Sequence, residues 1–265
     1  MRSMQLSLNG EAAPLEALAH LAGNNYGHFT AAQARGGRIQ GLSLHLDRLQ
    51  AATRELFGND LDLDLLRGWL RALLGGQDAS VRISVFSLGF DRDHPAQAAK
   101  PDVLITLAPP RGLQTGPLRT CSVPYDRDSP HIKHLGSFGL FNQRRLAQLR
   151  GFDDALFVTA DGHVAEGTIW NVGFREGEDI LWPAAPMLEG ISMQLLKAGL
   201  ARIGVAQTTR VITRAELPQL RSAFFTNSAC AAMPIACIDE VGFDLADDLP
   251  ALLRAALDCE PWVQP

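Results

Sequence analysis

The chain has 265 residues, 46% hydrophobic and 20% charged, with a net charge of −5. That composition suits a globular protein with one substantial core or two modest ones, and arginines scattered among acids exclude the concentrated basic face of a nucleic-acid binder. No apolar run approaches the roughly 18 residues of a membrane helix, and Cys121, Cys230, Cys237 and Cys259 make neither a CxxC pair nor a zinc pattern with histidine, so they read as reduced thiols of a cytoplasmic protein.

The first stretch, "MRSMQLSLNGEAAPLEAL", lacks the long apolar segment of a signal peptide. Leu42, Leu46, Leu49, Ala52 and Leu56 recur at helical spacing and predict a helix over 41–58, with Ser43 as a candidate cap and Gly58 at its end. A second helix over 63–76 closes on glycines. Alternation predicts a strand over 80–88, and the apolar run 101–110 predicts another, stopped by prolines. "PPRGLQTGP" (109–117) is dense in Pro and Gly. It divides a smaller N-terminal domain, 1–110, from a larger strand-rich domain, 118–265, with 111–117 as linker. Beyond it, 154–174 reads as two apolar runs around the turn dipeptide Asp161-Gly162, and 179–183 as a third strand. Ile191, Leu195, Leu196, Ala198 and Leu200 predict a helix over 190–205. Strands follow over 222–228 and 234–243, separated by the small residues "ACAAM". The fold class is α+β.

Lysine is scarce: only Lys100, Lys133 and Lys197. Lys133 lies in "SPHIKHLGSFGL", with little polar company. The ordinary reading is a lysine at a helix start with its head in water. The alternative is that the preceding turn, "YDRDSP", aims it inward. An amine desolvated near other cations becomes a nucleophile for carbonyls. A Schiff base is the chemistry that fits, and pyridoxal phosphate (PLP) is its commonest partner. PLP wants an acid or arginine at its pyridine nitrogen, and arginine, hydroxyls and backbone N–H groups at its phosphate. Glu166 sits among apolar neighbours in "HVAEGTIWNVGF". It is costly there unless paired, or else alternation turns it to solvent. "LEGIS" (188–192) sets Gly190 ahead of a helix with Ile191 and Ser192 in its first turn. Arg48, flanked by leucines, is a phosphate candidate or a snorkelling surface residue. Ser228, just after a strand, is a phosphate candidate or a turn serine.

In order along the chain, "HLDRL", "IKHL", "EGTIWNV", "LEGIS" and "FFTNSACAAMPI" resemble the motifs of the class IV aminotransferases, the fold-type IV PLP enzymes, over roughly residues 23 to 240. That family includes branched-chain, D-amino acid and (R)-amine transaminases and aminodeoxychorismate lyase. The resemblance implies a two-domain, D-amino acid aminotransferase-like fold. It implies PLP on Lys133, whose amine also shuttles the proton, with Glu166 facing the pyridine nitrogen. Arg48, the N–H groups of Ile191 and Ser192, and the Ser228 hydroxyl would hold the phosphate. Arginine could not replace Lys133, since it forms no imine. The implied partners are an amino donor and a 2-keto acid, and the implied assembly is a homodimer, with no nucleic acid or membrane.

Some positions depart from the family pattern. "NYGHFT" stands where relatives have a GDGVFE-like stretch, with Tyr26 and Thr30 at the acidic positions and Phe29 facing the substrate. Phe138 stands where branched-chain enzymes have tyrosine. "GFDRDHP" (89–95) resembles the R-x-H carboxylate trap of D-amino acid transaminases, which implies Arg92 and His94 for the substrate carboxylate; a solvated loop is the ordinary alternative. The functional expectation is a transaminase exchanging an amino group between an amino acid or (R)-amine and a 2-keto acid. The alternatives are aminodeoxychorismate lyase, which the "IKHL" tetrapeptide also resembles, and a PLP-binding homologue without turnover.

Overall fold

The computed structural model describes residues 4–111 and 116–265, so part of the linker, 112–115, lies outside the described residues. The chain forms two compact units that are not separated by a single cut. The first comprises Met1–Gly112, Ile132–Gly136 and Pro261–Pro265, and the second Leu113–His131 and Ser137–Glu260. Lys133 therefore belongs to the first unit, although the stretches before Ile132 and after Gly136 belong to the second.

The first unit contains β1 (Gln5–Leu8), β2 (Glu11–Ala12), α1 (Leu15–Asn24), β3 (His28–Arg35), β4 (Arg38–Gln40), α2 (Leu42–Phe57), α3 (Leu63–Leu74), β5 (Ala79–Phe86) and β6 (Asp102–Ala108). Its strands form one antiparallel sheet in the order C-terminal strand (Trp262–Val263), β4, β3, β5, β6, β1, β2. Helix α2 matches its predicted span, but its N-cap is Gly41 in a left-handed conformation, and Ser43 lies inside the helix. Asp62 caps α3, accepting from Leu65 N at 3.0 Å. The apolar stripes of α2 and α3 (Leu46, Leu49, Leu66, Leu70) pack with Val81 and Ile105 of the sheet. Side chains of a strand alternate between faces. Leu104 accordingly joins a separate cluster with Leu8, Ala17 and Phe86. In β3 the buried residues are His28, Thr30, Ala32 and Ala34, while Phe29, Ala31, Gln33 and Arg35 are half-buried.

The second unit holds β7 (Leu118–Pro124), α4 (Phe138–Leu149), β8 (Asp154–Val158), β9 (Val164–Gly167), β10 (Asn171–Glu176), β11 (Asp179–Pro183), α5 (Ile191–Arg202), β12 (Gln207–Arg210), β13 (Ser222–Asn227), β14 (Cys230–Ile238), β15 (Val241–Gly242) and α6 (Leu249–Asp258). Its sheet runs β12-β11-β10-β13-β14-β7-β8-β9, and a β9–β10 pairing closes six of these strands into a ring. The predicted run after Asp161-Gly162 is thus two strands, broken at Thr168–Trp170. The Trp170 indole folds back into the space a Cβ of Gly167 would occupy. "ACAAM" is the start of β14, not a separator between strands. Among the described residues no helix is long and apolar enough to cross a membrane.

Candidate active site

Lys133 is held by backbone pairing. Phe29 N donates to Lys133 O and Leu135 N to Gly27 O, each at 2.9 Å. His28 and His134 pair between these bonds as an antiparallel bridge. Helix α4 starts at Phe138, so Lys133 lies on an added strand-like segment and not at a helix start. Gly27 is required for the approach: its φ is +150°, and a Cβ there would strike the Val85 carbonyl. Lys133 is half-buried, with Nζ 5.0 Å from the centroid of the Phe29 ring. The Arg82 guanidinium carbon lies 3.5 Å from the centroid of that ring. Phe138 is 82% exposed at the head of α4.

The other face of β3 carries a buried polar cluster. Arg48 Nη2 donates to Thr30 Oγ1. Thr30 Oγ1 lies 2.6 Å from His45 Nδ1. Thr30 accepts from arginine and therefore donates to Nδ1, which is unprotonated in the neutral ring. His28 Nε2 lies 3.0 Å from Thr53 Oγ1, whose own hydrogen goes to Leu49 O at 2.7 Å, so His28 is the donor. Burial and then the nearby Arg48 lower the His28 pKa to about 4. Burial, Arg48 and Lys133, in that order, lower that of His45 to about 3. Burial alone brings Arg48 down to about 10. Arg48 Nε–H is buried with no protein acceptor. A buried cation with a spare donor and neutral imidazoles beside it could take an anion.

In the second unit Glu166, on β9, is 5% exposed, so it does not turn to solvent. Arg127 Nη1 donates to its Oε1 at 2.9 Å and Leu188 N to the same oxygen at 3.1 Å. Arg127 lies in the stretch read only as a turn. A carboxylate expected among apolar residues was the signal that a buried cation must meet it. Asn171 pairs in register with Glu166 on one side and Thr226 on the other. Its side chain donates to Leu188 O at 2.7 Å and accepts from Gly190 N at 3.1 Å. Asn171 thus joins Glu166 to the start of α5, where Ile191 and Ser192 are buried and Gly190 offers no side-chain cap. Ser228 occupies the β13–β14 turn, two residues past Thr226. There Asn227 Oδ1 accepts from Ala229 N at 2.9 Å and Cys230 N at 2.8 Å.

Arg92 and His94 lie on an exposed loop and are engaged locally. Arg92 Nε donates to Asn24 Oδ1 at 2.5 Å and Nη2 to Gly23 O at 2.6 Å, at the end of α1. His94 Nδ1 lies 2.8 Å from Asp91 Oδ2. Within the first unit the structure groups Lys133, Phe29 and Arg82, with Arg48 on the helix-facing side.

The chain is similar to a branched-chain aminotransferase from the archaeon Thermoproteus uzoniensis, solved with norvaline, at 21% identity and a TM-score of 0.83, covering 96% of this chain and 94% of that one. It is similar to a hypothetical aminotransferase from Mycobacterium tuberculosis in its PLP-bound form, at 19% identity and a TM-score of 0.80, covering 96% and 99%. At such identities the likeness shows the fold, a fold-type IV aminotransferase architecture. An aminodeoxychorismate lyase of Bacillus subtilis (strain 168) is 32% identical over 92 residues, a match spanning 34% of this chain and only 31% of the lyase. The family model for amino-transferase class IV matches residues 27–238, most of the chain, and the protein belongs to that family.

Proposed function

We propose that the protein is a PLP-dependent transaminase that moves an amino group between an amino acid or amine and a 2-keto acid. The observation that carries the reading is the ladder-held Lys133 on the same unit as Arg48, whose buried Nε–H has no protein acceptor. PLP-bound and pyridoxamine 5'-phosphate forms occur among structures of similar fold. Each unit carries residues that suit such a cofactor: in the first a lysine and a buried arginine with a spare donor, and in the second an uncapped helix start with a serine and a buried carboxylate.

When bound, PLP supplies an electron sink for the bond broken at the α-carbon of the donor. Lys133 would hold the cofactor through Nζ and afterwards move the proton at that atom. Arg48 would bind phosphate oxygens, together with the N–H groups of Ile191 and Ser192 and the Ser228 hydroxyl. Glu166, which pairs with Arg127, would hold a proton on the pyridine nitrogen.

Borohydride reduction of the holoprotein should fix the cofactor on Lys133. Lys133→Ala should lose both the visible absorbance of bound cofactor and all turnover; a label on any other residue sinks the reading. Incubation with D-alanine or (R)-1-phenylethylamine and 2-oxoglutarate or pyruvate should convert the cofactor to its pyridoxamine form. The partial match to the lyase favours a second reading, elimination from aminodeoxychorismate. It predicts pyruvate release with no keto-acid acceptor present.

A further inference from the structure

We propose that Asn171 is a positioning residue: its carboxamide holds the acid for the ring nitrogen and the N–H groups for the phosphate at one fixed spacing, so that ring and phosphate are read as a single ligand. This rests on the cofactor reading given above. Every residue it uses lies in the second unit.

The placement follows from register. Asn171 of β10 is the cross-strand partner of Glu166 of β9, and both are buried. Residues directly opposite in an antiparallel pair project to the same face. Both side chains reach the short stretch that leads into α5. Glu166 Oε1 accepts from Leu188 N at 3.1 Å. Asn171 Nδ2 donates to Leu188 O at 2.7 Å, and its Oδ1 accepts from Gly190 N at 3.1 Å. Two neighbouring side chains thus grip three backbone groups within residues 188–190. Neither end of that stretch can shift without breaking a buried hydrogen bond, which is costly. Gly190 lets the amide come so close, since a Cβ there would strike Asn171 Oδ1.

The grip leaves the helix start open. The first turn of a helix presents N–H groups with no intrahelical acceptor, and a cap side chain takes one of them. No side chain caps α5. Asn171 takes the N–H of Gly190, one residue ahead of those of Ile191 and Ser192, and so fixes the helix start without occupying the donors that suit an anion. The Glu189 carboxylate, which would repel a phosphate, is engaged by Lys197 Nζ at 2.8 Å. In PLP the ring nitrogen and the phosphate are separated by part of a rigid ring, one methylene and one ester oxygen. A ligand with two recognised ends gains from both only where the receiving groups stand at a matching spacing. Glu166 would receive one end and the start of α5 the other, and the residues between them are those that Asn171 grips.

The test is calorimetry on the full cofactor-free chain with three probes: 4-deoxypyridoxine, inorganic phosphate, and 4-deoxypyridoxine 5'-phosphate, which joins the two and has no aldehyde to react with Lys133. The unsubstituted protein should bind the joined probe at least about 100-fold tighter than either half, the usual gain from linking two ends that fit together. In Asn171→Ala the joined probe should lose about tenfold or more, while each half stays within about threefold, because a half can settle on its own group whatever the spacing. Gly190→Ala, whose Cβ displaces the same amide, should show the same pattern. If Asn171→Ala does not fold, Asn171→Ser serves the comparison. An unchanged joined probe overturns the proposal. Equal weakening of all three probes overturns it too, since Asn171 would then support only the unit as a whole. No advantage for the joined probe in the unsubstituted protein also overturns it. Borohydride labelling of the unsubstituted holoprotein then separates the two readings: a label on Lys133 leaves the cofactor reading standing, and no label there removes both.

Discussion

Asp154 and Arg48 are both charges buried beside a strand, and the two units treat them differently. Asp154 is fully buried on β8 and is met from all sides: by Arg144 through Nε at 3.0 Å, by Thr168 Oγ1 at 2.7 Å, by Trp170 Nε1 at 2.8 Å and by Ala155 N at 2.8 Å. Arg48 has the Thr30 hydroxyl, two imidazoles that its own charge helps to keep neutral, and a buried N–H with no protein acceptor. A charge satisfied by its own unit is structural, because removing it strands its partners. A charge left short of partners is a candidate for a ligand that arrives later.

The contrast breaks first at Asp154. Asp154→Ala leaves the Arg144 charge, the Thr168 hydroxyl and the Trp170 N–H without their acceptor, and should cost about 3–5 kcal/mol in urea unfolding. A loss below about 1 kcal/mol would mean that the network does not hold the Thr168–Trp170 break between β9 and β10 together.

Acid sharpens the other side. His28 and His45 are neutral when folded, with pKa values near 4 and 3, and take the ordinary value of 6.5 when unfolded. Between 6.5 and about 4 the unfolded chain binds more protons, so stability falls as pH falls. Each imidazole contributes about 1.4 kcal/mol per pH unit in that window. The span from pH 7 to 5 covers the upper part of that window. In His45→Asn the slope over that span should drop by about half. A flat stability profile in the unsubstituted protein would mean that the imidazoles are not held neutral.

Much of the scaffold is legible in local sequence, because it depends on period. The stripe of α2 and the alternation of β5 point to the core and are found there. Lys133, Glu166 and Arg48 stand out as charges in apolar company. What could not be read depends on pairings distant in the chain. The bonds from Phe29 and Leu135 that carry 132–136 onto β3 join segments with no shared local signal. Arg127 looks like a turn residue until Glu166 is known to be buried beside it. Arg82 keeps the solvent side that the alternation gives it, and its stacking on Phe29 is seen only once β3 is set beside β5.

Gly190 gives a smaller effect. Its backbone is an ordinary extended one, but an added Cβ would collide with Asn171 Oδ1, which holds Gly190 N. Gly190→Ala should cost about 1–3 kcal/mol, as overpacking does. It should also speed hydrogen exchange at the Leu188 amide, which donates to Glu166. Faster exchange confined to α5, with Leu188 still protected, would show that Asn171 does not connect the two.

On stability the least effect is expected at Arg48, and that is the sharpest form of the contrast. Arg48→Met removes a charge that burial disfavours, together with a single hydrogen bond to Thr30. The two changes oppose each other, so the cofactor-free protein should unfold within about 1 kcal/mol of the unsubstituted one, where Asp154→Ala falls far below it. Binding should separate them in the opposite order. Inorganic phosphate should raise the melting temperature of the unsubstituted cofactor-free protein through mass action on the folded state. It should still do so for Asp154→Ala at a lower baseline, and should do nothing for Arg48→Met. If phosphate protects Arg48→Met as well, the unused N–H of Arg48 is not an anion site, and the distinction between a satisfied charge and a reserved one fails for this protein.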